Sequence, residues 1–431
     1  MADAVGDFLL ALYRGGGALA RPFVPMLISQ RVARGKEDKA RLGERYGEAS
    51  KARPDGRLVW VHAASVGETN AILPLIRRVT EAGSAVLFTS TTITSAGIAA
   101  ASLPAGATHQ YAPLDLTRHV ARFLAHWRPD LVVFVESELW PTMLTSLERA
   151  GVPLVVVNGR VSDRSFRRWQ RFGPLARALF SRIGLVLAQS DKDGERFRSL
   201  GAPRVAVTGN LKFDTPPLVA DEAELARLRT AVAGRPVWIA ASTHEGEEGF
   251  VLAAHKRLRA AHDNILTVIV PRHPPRGDAV RAIVEGAGLP MAQRSRGEPL
   301  LPTTEIYLAD TLGELGLFFR LTPIAFLGGS LVPTGGHNPI EPVRLGAVAL
   351  HGPHVHNFAA LFALLDGVAP GLSVMDPGEL ADAVARLVAE PDEARRIAAA
   401  GAAALSPLSG ALDRTMTALA PYLSGNAAAS R

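Results

Sequence analysis

The segment GRLVWVHAASVGET (56–69) has an echo in the second half of the chain, GRPVWIAASTHEGEE (234–248). Each opens as an apolar strand containing a tryptophan, passes through a turn of small residues, and reaches a glutamate where a helix begins. From residue 57 onward, short Val/Leu/Ile runs alternate with helical stretches such as TRHVARFLAHW (117–127), the pattern of parallel βα units. Strands are expected at 57–63, 84–89, 131–135, 153–157, 184–188 and 205–208, then after residue 236 and at 265–270, 305–308, 323–327 and 347–350. They are apolar throughout rather than alternating, as a sheet covered by helices on both faces requires. The expected fold is therefore α/β, with two doubly wound Rossmann-like domains facing each other across an interdomain cleft. Ligands in such sheets bind beyond the carboxyl ends of the strands, where the small-residue turns fall.

The division read from the sequence is 1–36 as a membrane-associating segment, 37–210 as the first domain, 211–235 as a linker and 236–431 as the second domain. The linker reading rests on Pro216-Pro217 and a charged helical run with no strand. At 431 residues the chain exceeds the usual size of a single core. It has no cysteine, which excludes disulfides, thiolate metal sites and a cysteine nucleophile. A net charge of +6 favours an anionic partner without choosing one. No stripe of basic and stacking aromatic residues on a known module supports a nucleic-acid partner. No GxGxxG follows the first strand of either half, which argues against a dinucleotide oxidoreductase.

The N-terminal stretch FLLALYRGGGALARPFVPMLISQRVARGK is apolar but interrupted by Arg14, three glycines, Arg21, Pro22 and Pro25, so it does not supply a spanning helix. Asp3 and Asp7 precede its apolar part, unlike a secretory signal. Two readings fit: an interfacial segment whose Arg14, Arg21, Arg31, Arg34 and Lys36 meet anionic headgroups, or a helix packed on the protein's own core.

Several residues stand where chemistry is expected. Glu68 sits at the first turn of a helix, where free N–H groups and the helix dipole favour its ionised form, ready to accept a proton. The competing reading makes Ser65 an N-cap and Glu68 its capping-box partner. VESELWP (135–141) ends a strand on Glu136 and Glu138, facing the same edge. NGRVSDRSFRRWQR (158–171) places Arg160 at a strand end, followed by Arg164, Arg167, Arg168 and Arg171, which read as a solvated face. Lys212 of GNLKFD follows the last strand of the first half. In the second half, VPRHP (270–274) carries Arg272 and His273, a pair suited to phosphate or a base edge. FLGGSLVPTGGHNPIEP (326–342) ends a strand at Gly328, Gly329 and Ser330, continues through Gly335, Gly336, His337 and Asn338, and starts a helix containing Glu341. Its exposed N–H groups suit an anion, and Glu341 suits a ribose diol. Asp191-Lys192-Asp193 has the spacing of a metal triplet, but its place before a helix makes capping the better reading.

Taken in order, GERYG, SVGE, ESELWP, GNLKFD, STHEGEE, VPRHP, DTLGEL and GGHNPIEP resemble the Kdo (3-deoxy-D-manno-octulosonic acid) transferases of the lipopolysaccharide inner core, from residue 43 to about residue 421. The resemblance implies the GT-B glycosyltransferase fold. It implies transfer of Kdo from CMP-Kdo to a lipid A precursor, lipid IVA, with inversion, at the cytoplasmic face of the inner membrane, and with neither cofactor nor metal. It makes Glu68 the catalytic base. It puts the donor at Arg272, His273, Gly328, Gly329, Ser330, Gly335, Gly336, His337, Asn338 and Glu341. Glu136, Glu138, Arg160 and Lys212 are left to the acceptor or to charge positioning. The AASVGE turn, the dense arginines at 164–171 and the glycines of RGGGALARP depart from the family's usual pattern. A heptosyltransferase-like enzyme using a nucleoside diphosphate sugar, and a non-catalytic lipid-binding protein of the same fold, are the alternatives.

Overall fold

The computed structural model describes residues 4–214 and 217–425. The chain divides into two compact units, one formed by 1–215 with 408–431 and the other by 216–407.

The first unit is built on a seven-stranded parallel sheet. Its strands are β1 (Leu58–His62), β2 (Ala85–Ser90), β3 (Ala107–Tyr111), β4 (Leu131–Val135), β5 (Leu154–Gly159), β6 (Leu185–Ala188) and β7 (Val205–Val207), in the order β3-β2-β1-β4-β5-β6-β7. The order reverses between β1 and β4, which opens the switch-point crevice of a doubly wound sheet. Every residue of β1 is buried. Successive side chains alternate faces, so Leu58 and Trp60 join one core with Phe123, Trp127 and Phe134. Val59 and Val61 join the other, with Ile72, Leu75, Val133, Leu419 and Tyr422. Both of these core indoles are satisfied: Trp60 donates to Thr89 Oγ1 at 2.8 Å and Trp127 to Gln110 Oε1 at 3.0 Å.

Leu419 and Tyr422 belong to the helix Ala411–Leu423, so the end of the chain completes the first unit's core rather than the second's. Of the segment read as a linker, Thr215 and Pro216 lie outside the described residues, and the stretches on either side of them form defined elements. Asp214 closes a short 3-10 turn, Leu211–Asp214, and its carboxylate accepts from the N–H groups of Gly410 (2.7 Å) and Leu412 (2.6 Å), capping the last helix. The charged run forms the helix Glu222–Ala231, which buries Leu225 and Leu228 in the second unit. Asp214→Ala removes a cap carboxylate and should cost about 1–2 kcal/mol. The expected result is a lower urea midpoint with early proteolytic loss of the C-terminal helix; an unchanged midpoint would contradict this role.

The N-terminal segment is likewise part of the first unit. Its helices, Ala4–Ala20 and Val24–Ala33, are separated by a turn at Arg21–Phe23 that contains Pro22. One face packs inward through Gly6, Leu10 and Ile28. A methyl group at Gly6 would come within 2.4 Å of the Pro174 carbonyl oxygen and 2.6 Å of Ala178 Cβ. The other face leaves Val5, Phe8, Leu12, Leu19, Phe23, Met26 and Leu27 exposed. The expectation of a helix packed on the protein's own core is met by the first face. Among the described residues, no helix is long and apolar enough to cross a membrane.

The second unit carries a six-stranded parallel sheet in the order β10-β11-β9-β8-β12-β13. The strands are β8 (Val237–Thr243), β9 (Leu266–Pro271), β10 (Met291–Gln293), β11 (Ile306–Leu308), β12 (Ile324–Leu327) and β13 (Val348–His351). The sequence echo is structural: β1 and β8 are each followed by a tight turn and a helix, Val66–Glu81 and Glu247–Arg259.

Candidate active site

Glu68 lies in the first turn of the helix after β1, with Ser65 as N-cap. The Glu68 N–H donates to Ser65 Oγ at 3.3 Å, the Ser65 hydroxyl donates to Glu68 Oε1 at 2.7 Å, and the Ala64 N–H donates to Oε2 at 2.9 Å. The capping reading is therefore correct as geometry. It does not exhaust the carboxylate, because each oxygen has room for another donor.

Burial is the largest influence on this group and raises its pKa above the usual glutamate value. The two hydrogen bonds oppose that rise, the Glu136 charge adds to it and Lys212 opposes it. The helix end favours ionisation, but desolvation outweighs it. A raised pKa makes Glu68 a stronger proton acceptor than an exposed carboxylate.

Glu136 follows β4 with φ +59°, a left-handed conformation that costs a non-glycine residue about 1–3 kcal/mol. In that conformation its N–H bonds the Val157 carbonyl at 3.0 Å and its Oε1 accepts from Lys212 Nζ at 3.1 Å. Lys212 is anchored by the turn after β7: Asn158 Oδ1 accepts the N–H of Leu211 (2.9 Å) and Asn210 Oδ1 that of Lys212 (3.0 Å). Glu138 is half-buried, and its pKa is raised by burial and then by the charges of Glu68 and Glu136. The structure thus brings together three of the expected carboxylates and one expected ammonium. Arg160 stands apart, exposed and without a hydrogen bond or ion pair among the described residues. Arg164, Arg167, Arg168 and Arg171 form the solvated face of the helix Asp163–Arg171. Asp193 serves as a cap, accepting from Ser190 Oγ (2.6 Å) and the Val161 N–H (2.9 Å).

The Lys212 ammonium lowers the pKa of Glu68. Lys212→Met should move the titration of the Glu68 carboxyl, followed by NMR, to higher pH; a titration that stays in place would show the ammonium has no influence there.

The second unit's site is organised by a residue the sequence reading passed over. Glu247, fully buried, sits where Glu68 sits in the first unit. Its Oε2 accepts from the N–H groups of His244 (2.9 Å) and Gly329 (2.6 Å), and its Oε1 from Ser330 (3.1 Å) and Leu331 (2.9 Å). The Gly328 N–H bonds the Ala241 carbonyl at 2.8 Å. All three N–H groups of the Gly328–Ser330 turn are therefore taken within the protein, so a donor at this turn would meet its shape rather than its N–H groups. The bareness of the turn answers to packing instead: a Cβ at Gly328 would meet the Ser242 carbonyl oxygen at 2.5 Å. The Gly336 N–H is also taken, by the Gly329 carbonyl at 2.8 Å. Gly335 has φ +104°, and a Cβ there would meet Asn357 Nδ2 at 2.5 Å and His356 Nε2 at 2.6 Å.

What remains for a ligand is a set of side chains. His244 and His337 face each other through their Nε2 atoms at 2.9 Å, and His273 meets His244 edge-on with ring centroids 5.9 Å apart. Burial, then Arg272 and the neighbouring histidines, lower the pKa of His337 to about 4, so it is neutral at physiological pH. Glu341 accepts from Asn338 Nδ2 at 3.2 Å; burial raises its pKa, against which Arg272 acts. Arg272 itself is exposed. The signal that could have found Glu247 was the echo itself, which puts an acid at the same turn in both units.

Two doubly wound parallel sheets of this order define the GT-B class of glycosyltransferases. The fold matches the crystal structure of a glycosyltransferase from Rickettsia africae with a TM-score of 0.56, covering 86% of this chain and 99% of that one at 11% sequence identity. Residues 40–215 match the family model described as 3-Deoxy-D-manno-octulosonic-acid transferase (kdotransferase). Over 417 residues the chain is 35% identical to the 3-deoxy-D-manno-octulosonic acid transferase of Haemophilus influenzae, covering 95% of this chain and 97% of that protein. It is 36% identical over 402 residues to a probable mitochondrial 3-deoxy-D-manno-octulosonic acid transferase of Arabidopsis thaliana, covering 90% of each. The chain belongs to the 3-deoxy-D-manno-octulosonic acid transferase family of glycosyltransferases.

Proposed function

We propose that this enzyme transfers Kdo from CMP-Kdo to a hydroxyl of a lipid A precursor, lipid IVA, with Glu68 as general base. The acceptor hydroxyl gives its proton to a Glu68 oxygen as its own oxygen bonds C2 of Kdo. The bond from C2 to the CMP phosphate oxygen breaks, and CMP leaves with the electron pair. A single displacement assisted by one base inverts the anomeric centre. The observation that carries this reading is the contrast between the two matched glutamates. Glu247 is saturated by four N–H groups, whereas Glu68 holds one N–H and one hydroxyl and has its proton affinity raised by burial and by Glu136.

In this scheme Glu136, Glu138 and Lys212 set the charge around the base, and Arg160 meets acceptor phosphate. On the second unit, Arg272 and His273 offset the phosphate charge that grows on departing CMP, with no divalent ion required. His337, Asn338 and Glu341 contact the nucleoside, with Glu341 accepting from the ribose diol. The Gly328–Ser330 and Gly335–Gly336 turns contribute shape. The reaction takes place at the cytoplasmic surface of the inner membrane, with the enzyme peripheral or monotopic, and the apolar N-terminal face supports that placement.

The test is mass spectrometry of lipid recovered after the purified protein meets CMP-Kdo and a tetraacyl disaccharide phosphate. The acceptor should gain the mass of one or more Kdo residues. Unchanged acceptor, together with calorimetric binding of UDP or ADP in preference to CMP, would favour a nucleoside diphosphate sugar enzyme instead.

A further inference from the structure

The first unit holds a cavity of about 250 Å³ whose residues belong to neither cluster described above. The N-terminal segment supplies Arg21, Val24 and Pro25, and the helix Thr117–Trp127 supplies Arg118, His119 and Arg122; Tyr46 and Glu48 complete the wall. Three arginines and one carboxylate thus line it. Arg122 pairs with Glu48, while Arg21 and Arg118 have neither a hydrogen bond nor an ion pair among the described residues. His119 is only 7% exposed, and its Nδ1 is buried with no hydrogen-bond partner among the described residues. Its ring is held by an edge-on contact with Tyr46, centroids 5.4 Å apart. Burial lowers its pKa, and Arg122, Arg21 and Arg118 lower it further against the opposing effect of Glu48. An unpaired buried imidazole nitrogen beside two unpaired arginines suits a ligand that is both anionic and hydrogen-bonding.

The segment that brings Arg21 to the cavity also identifies the occupant. Within a few residues of Arg21, Leu19 (80%), Phe23 (69%), Met26 (65%) and Leu27 (53%) expose apolar side chains. A free anion would need only the arginines. A phosphate joined to acyl chains uses both the pocket and the apolar row beside it. We propose that the cavity is a lipid-phosphate site, taking the headgroup phosphate of an anionic membrane phospholipid between Arg21, Arg118 and Arg122, with Leu19, Phe23, Met26 and Leu27 entering the acyl boundary. This deepens, and rests on, the reading of a bilayer surface as a partner.

The experiment is co-sedimentation of the full-length protein with vesicles of phosphatidylcholine alone or with 30% phosphatidylglycerol, at about 0.15 M salt. Wild type should bind the anionic vesicles far better than the neutral ones. The double variant Arg21→Gln/Arg118→Gln should lose about tenfold or more in affinity for the anionic vesicles. Arg164→Gln/Arg167→Gln, which removes equal charge from another exposed face, should keep its binding. Neither arginine of the first pair has a hydrogen bond or ion pair among the described residues, so thermal midpoints serve as a folding check. The proposal is overturned if the two double variants bind alike. It also falls, while the bilayer reading stands, if wild type binds both vesicles equally. Binding to neither vesicle, with or without saturable binding of inorganic phosphate by calorimetry, removes both.

Discussion

Glu68→Gln should lower the rate of Kdo transfer by roughly 10²–10⁴-fold while leaving donor-nucleotide affinity intact. The amide keeps the size of the carboxyl group but cannot take a proton from the acceptor hydroxyl. The fold should survive, for a reason set by linkage. Burial raises the pKa of Glu68 in the folded state. Such a carboxyl favours folding in its protonated form, and that contribution is lost as pH rises through the folded value. At neutral pH a neutral amide is therefore no worse for stability than the ionised native group. Loss of turnover with an unchanged or higher thermal midpoint is the expected combination. Near-normal turnover would remove Glu68 from the chemistry.

Glu247 should behave in the opposite way. Each of its oxygens accepts two backbone N–H groups, so an amide in either orientation sets its NH₂ against two donors. Even Glu247→Gln therefore strands two buried N–H groups, at about 1–3 kcal/mol each, and Glu247→Ala strands four, less whatever entering water recovers. A loss of roughly 3 kcal/mol or more is expected for the alanine variant, with a lower melting temperature and weakened CMP binding as the turn at Gly328–Leu331 loosens. Calorimetry on Glu247→Gln is the sharper check, because size is conserved. Native melting and native CMP affinity in that variant would show that the turn holds its shape without the carboxylate.

Much of the architecture was legible because buried parallel strands must be apolar on both faces, and LVWVH, LVVFV and VWIAAST are. The two strands that escaped the reading, ATHQY and MAQ, form β3 and β10, each at the edge of its sheet. An edge strand has one neighbour and less to bury, so its apolar signal fades. The acidic group Glu68, Glu136 and Glu138 was legible because a doubly wound sheet delivers consecutive strand ends to one side. The return of the last helix to the first unit was not, since it depends on Asp214 accepting from Gly410 and Leu412, far away in sequence. The pairing within the Gly328–Ser330 turn was hidden for a related reason. Glycines advertise bare N–H groups, but only the three-dimensional position of Glu247 reveals that those groups already have partners.

The pH dependence of single-turnover Kdo transfer, compared between wild type and Glu68→Gln, tests the proposed base most directly. In wild type the rate should climb with pH through one carboxyl ionisation lying above the ordinary glutamate value of about 4.3, because burial holds the proton on. In Glu68→Gln the residual rate should be slow and flat across that range. The same inflection persisting in the variant would assign the proton acceptor to another group.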